Sequence, residues 1–101
     1  MNLLKQYIPD YSGHIESVNF RASDATFEIV FYDRPETFNV VFKLVFEGVS
    51  EFREVQVDAP EENFIELAIG LDSVSGGYCL HTDIREINFK AIKVGAFEIN
   101  T

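Results

Sequence analysis

Apolar and polar residues alternate along most of this chain, and the period of that alternation changes once. Near the start, Leu3, Leu4, Tyr7 and Ile8 recur at helical spacing, which predicts one or two helical turns that Pro9 ends. From Ile15 the period becomes two. Val18, Phe20 and Ala22 alternate with Ser17, Asn19 and Arg21, so one face of a strand is apolar and the other wet. Ser23 and Asp24 read as a tight turn. Ala25, Phe27, Ile29 and Phe31 then form a second apolar row, until Arg34, Pro35 and Glu36 break the pattern.

The third run is the strongest. Phe38, Val40, Phe42, Leu44 and Phe46 share one face, and Val41 and Val45 add apolar positions to the other, as in a central strand covered on both sides. Gly48 marks a turn or bulge. Phe52, Val55 and Val57 continue as a shorter strand with Arg53 and Glu54 facing out. Three alternating runs with short links predict an antiparallel meander, because parallel strands need crossovers of about a dozen residues or more.

Residues 58–72 carry two periods at once. Asp58, Pro60, Glu61 and Glu62 would make a good helix start, with Phe64, Leu67, Ala68 and Leu71 as its stripe. Ile65, Leu67, Ile69 and Leu71 also alternate as a strand does. The strand is preferred, because Ser75, Gly76 and Gly77 follow as a hairpin turn and Tyr78, Leu80 and Thr82 answer as its return. Ile87, Phe89, Ile92, Val94, Phe97 and Ile99 close the chain as one bulged strand or two short ones. The expected fold is a single all-β domain over residues 1–101, an antiparallel sandwich or partly open barrel of six to eight strands with a short N-terminal helix. A helix over residues 60–71 would make it α+β. Two layers are required because a meander with one apolar face must bury it.

Composition adds limits. An apolar content of 47% with ten phenylalanines is enough for a core without staples. Seventeen acidic residues against eight basic ones leave a net charge of −9, which disfavours nucleic acid and anionic membranes and favours a basic protein partner, metal cations or plain solubility. One cysteine forms no internal disulfide and fits a reducing compartment. The first residues are too polar for a signal peptide, and no run is apolar enough for a membrane span. A cytoplasmic protein is expected.

Candidate chemistry is sparse. Cys79, His81 and Asp83 stand two apart, so a continuous strand would place them on one face as part of a zinc or thiol site, with His14 as the other histidine to consider. Paired CxxC or HExxH spacings are missing, and a strand cysteine is commonly a small core residue. The serines and glycines at 73–77 lack the lysine of a phosphate loop, and the acidic cluster at 58–62 lacks the calcium-loop pattern. No catalytic, cofactor or metal residue is therefore assigned and no enzyme is expected. Tyr32, opposite Phe31, is a candidate partner contact, and Tyr7, Tyr11 and Tyr78 are open to the same use.

Four stretches taken together resemble a known group. They are HIESVNF at residues 14–20, ATFEIVF at 25–31, FEGVSEF at 46–52 and INFKA at 87–91. The order resembles the small bacterial proteins grouped as immunity-50 and YxiG-like, which are mostly β and associated with polymorphic toxin systems. The resemblance implies an inhibitor of a basic toxin or nuclease, and it implies no catalytic residues. A different reading of the residues is a small β domain that holds an apolar ligand between its Phe-rich faces.

Overall fold

The structure is a computed structural model, and it describes residues 3–7, 13–32, 40–58 and 66–99. Its elements are α1 (Leu4–Tyr7), β1 (His14–Arg21), β2 (Thr26–Tyr32), β3 (Val40–Glu47), β4 (Ser50–Gln56), β5 (Glu66–Val74), β6 (Gly77–Thr82), β7 (Arg85–Lys90) and β8 (Lys93–Glu98). The eight strands form one antiparallel sheet in the order β4-β7-β6-β5-β1-β2-β3-β8. Among the described residues its two halves pair at His14 with Leu67 and Ile15 with Glu66. At that joint the sheet folds over, and the apolar faces of the halves meet.

The predicted meander is β1-β2-β3. Phe27 pairs with both Phe20 and Phe46, and Ile29 with both Val18 and Leu44, so the apolar rows of three strands lie side by side. Ile15 is out of phase with Val18 and Phe20 by sequence count. A bulge between Ile15 and Ser17 takes up the extra residue and returns Ile15 to the buried face.

The opposing layer is β5-β6-β7-β4. Leu71, Leu80, Ile87 and Phe89 are the buried residues it contributes to the shared core, and rings close the space between layers. Phe20 stacks on Phe52 at 4.2 Å between centroids, Phe89 meets Phe46 at 4.7 Å and Phe27 at 5.1 Å, and Phe46 meets Tyr78 at 5.1 Å. The two contacts of Phe89 are edge-to-face, an arrangement that ring quadrupoles favour. Helix α1 lies against the same core: Leu4 is buried and the Leu3 N–H donates to the Leu71 carbonyl at 2.7 Å.

The strand preferred over residues 66–71 is present as part of β5, and the β5–β6 hairpin turns at Ser75 and Gly76 as expected. Of the proposed helix start, Asp58 lies in a bend after β4, whereas Pro60, Glu61 and Glu62 lie outside the described residues, as do Pro9, Tyr11 and the break at 34–36. Two details of the periodicity are corrected. Leu67 and Ile69 do not share a face with buried Leu71, because a bulge between Ala68 and Gly70 switches the strand's faces and leaves both exposed. Val55 and Val57 are exposed too, since β4 does not extend the meander but crosses to the other layer and pairs with β7. The C-terminal run divides into two strands, β7 in one layer and β8 back beside β3 in the other.

Candidate functional site

Strand β6 alternates between the core and the outside of its layer. Tyr78, Leu80 and Thr82 face inward, so Cys79 and His81 face outward, away from the aromatic core. Antiparallel pairing then brings other chains of the same layer beside them. Asp72 of β5 lies opposite Cys79, and Glu86 of β7 lies opposite His81.

The side chains converge. The Cys79 Sγ donates to Glu86 Oε1 at 3.4 Å and stands 3.9 Å from His81 Nδ1. On the other side of the ring, His81 Nε2 is 3.5 Å from Asp72 Oδ2. Cys79 is only 3% exposed, whereas His81 and Asp72 are open to solvent. Burial, followed by the neighbouring Glu86 carboxylate, pushes the Cys79 thiol up to about 11. A thiol in that state is protonated at neutral pH and is a weak nucleophile.

The candidate residues separate here. Cys79 and His81 belong together as expected, and Cys79 is buried without being part of the core. Asp83 is corrected: β6 ends at Thr82, and the chain bends, because the Thr82 hydroxyl takes up the N–H groups of Ile84 and Arg85. Asp83 instead ties the bend to β5, its carboxylate accepting from the Leu67 N–H and its own N–H donating to the Leu67 carbonyl, both at 3.1 Å. His14 sits at the joint between the halves, paired with Leu67, outside the converging donors. Tyr32 ends β2 and is half-buried. The residues missed by sequence reasoning are Asp72 and Glu86, which reach the site from neighbouring strands and share no spacing with Cys79.

Beside this cluster runs a second, structural one. Arg85 donates to both oxygens of buried Glu66, at 2.7 and 2.6 Å, and to Glu54 at 3.1 Å. These bonds, with Glu66 first, hold the guanidinium charged more firmly than usual. Other cations are also held by carboxylates: Arg21 by Asp24 and Glu28, Lys43 by Glu28, Lys90 by Glu51 and Lys93 by Glu47.

No protein-family model, curated protein or solved structure matches this chain. Among the described residues no helix is long and apolar enough to cross a membrane.

Proposed function

We propose that this domain is a protein-binding module for a basic partner, of the toxin-inhibitor kind that its resemblance to the immunity-50 and YxiG-like proteins implies. The observation that carries this reading is how the charge is arranged. The chain has nine more acids than bases, and among the described residues Arg21, Lys43, Arg85, Lys90 and Lys93 are already held against its own carboxylates. The surplus therefore stays negative over the surface. A field of that sign steers a basic partner toward the domain and keeps phosphate backbones away.

The apolar-ligand domain is the alternative, and the packing of the described interior is what weighs toward the binding module in this proposal. Rings from both layers occupy the space between them. A hollow by the β5–β6 turn, lined by Glu51, Val74, Tyr78 and Phe89, measures about 160 Å³, small beside the roughly 300–1,000 Å³ of typical ligand pockets.

The test is capture from the native host on the immobilised, untagged chain. The expected result is a stoichiometric basic protein retained at low salt and released at high salt, where the screening length falls to about 3 Å. An apolar small molecule as the only co-purifying species, or no partner, would overturn the reading.

A further inference from the structure

The outward cluster on β5, β6 and β7 has a property that the charge argument does not use. Three donors of three chemical types, the Cys79 sulfur, a His81 ring nitrogen and a Glu86 carboxylate oxygen, all lie within 4.8 Å of one another. We propose that Cys79, His81 and Glu86 form a binding site for one zinc-class divalent cation, with Asp72 as the residue that orients His81.

The distances carry the argument. Zinc holds sulfur at about 2.3 Å and nitrogen or oxygen at about 2.0–2.1 Å, and tetrahedral angles then separate sulfur from a nitrogen or oxygen donor by roughly 3.5 Å. The observed separations from the Cys79 sulfur are 3.4 Å to Glu86 Oε1 and 3.9 Å to His81 Nδ1. The third side, from the His81 ring to the Glu86 carboxylate, spans no more than 4.8 Å, and a shift of the half-exposed imidazole toward Glu86 closes the triangle. That shift is available because His81 is open to solvent, while the Cys79 side chain is fixed by burial.

The surroundings fit as well. A metal-ligating imidazole characteristically turns its second nitrogen to a carboxylate, which fixes the ring and strengthens the ligand. Asp72 occupies that place at His81 Nε2. A thiolate and an imidazole select zinc-class ions over calcium and magnesium. Binding replaces the proton that the Cys79 thiol shares with Glu86, and that proton leaves to solvent. One thiolate and one carboxylate then balance the two charges of the cation. The solvent side of the cluster offers the fourth position to water or to a group from a partner.

The site is tested with Co²⁺ titrated into the untagged, reduced chain, since a thiolate bound to cobalt gives a charge-transfer absorption that carboxylate sites do not. One cobalt per chain with that absorption is expected, displaced by Zn²⁺. Cys79→Ser abolishes the absorption. Asp72→Asn weakens affinity roughly 10- to 100-fold, and Glu86→Gln and His81→Gln weaken it at least as much. Circular dichroism of each variant reports the fold; the Glu86 and His81 variants carry the test should Cys79→Ser not fold. A folded wild-type chain without the absorption would overturn the site. So would full affinity in Glu86→Gln and His81→Gln, which would mean a thiol binding cobalt alone.

Discussion

Phe89→Ala is expected to remove a large share of the stability of this domain. The ring touches four others, Phe27, Phe46, Tyr78 and Phe52, with centroids between 4.7 and 6.3 Å away, and these come from the opposite layer and from β4 and β6, the two strands beside its own. Truncating a buried Phe costs about 3–5 kcal/mol, through lost transfer energy and the cavity left behind. Domains of this class hold only about 5–15 kcal/mol in total. The midpoint of urea unfolding should therefore fall steeply, and the melting temperature by about 4–8 °C per kcal/mol lost. Ile92→Ala is the matched control, because that side chain is 89% exposed and should change stability by no more than about 0.5 kcal/mol. Equal effects of the two variants would mean that the layers do not share a core.

The second large effect is at Glu66. Its carboxylate is buried at the joint where β5 meets β1, and Arg85 closes both of its oxygens. Arg85→Met leaves that charge buried without its fork, and breaking such a pair costs about 3–5 kcal/mol. The lower end is expected here, since Arg85 keeps one edge in solvent, with 21% of its side chain exposed. Replacing both partners, Arg85→Met with Glu66→Leu, should recover much of the loss, because no stranded charge remains. Urea denaturation of the wild type, the single variant and the double variant reads this directly. A double variant less stable than Arg85→Met alone would show that the pair contributes more than the charge it neutralises.

Both effects depend on how the halves of the sheet meet, and that was the least legible part of the sequence. The rows Phe27-Ile29-Phe31 and Phe42-Leu44-Phe46 were readable because each strand buries one face, and period two reports that face directly. The partner of a strand is a different matter. Nothing in the alternation of β4 says that it leaves the meander to pair with β7, or that β8 returns to β3. Bulges hid two further facts: one returns Ile15 to the core, and the other turns Ile69 outward although Leu71 is buried. The site followed the same rule. Cys79 and His81 were visible as an i, i+2 pair, whereas Asp72 and Glu86 join them across strand pairings. Asp83 misled because the strand stops one residue earlier, at Thr82.

The tight packing and the uncompensated surface divide the work between inside and outside. The aromatic core joins the two layers, the chain carries a net charge of −9, and the proposal is that this charge is read by a basic partner. The most direct test is the association rate with the captured partner, measured by stopped flow across ionic strength. Charge-steered binding predicts a rate that falls steeply with added salt, by roughly 10- to 1,000-fold, while dissociation changes far less. A rate unchanged by salt would contradict the account, because the surplus charge would then have no part in recognition.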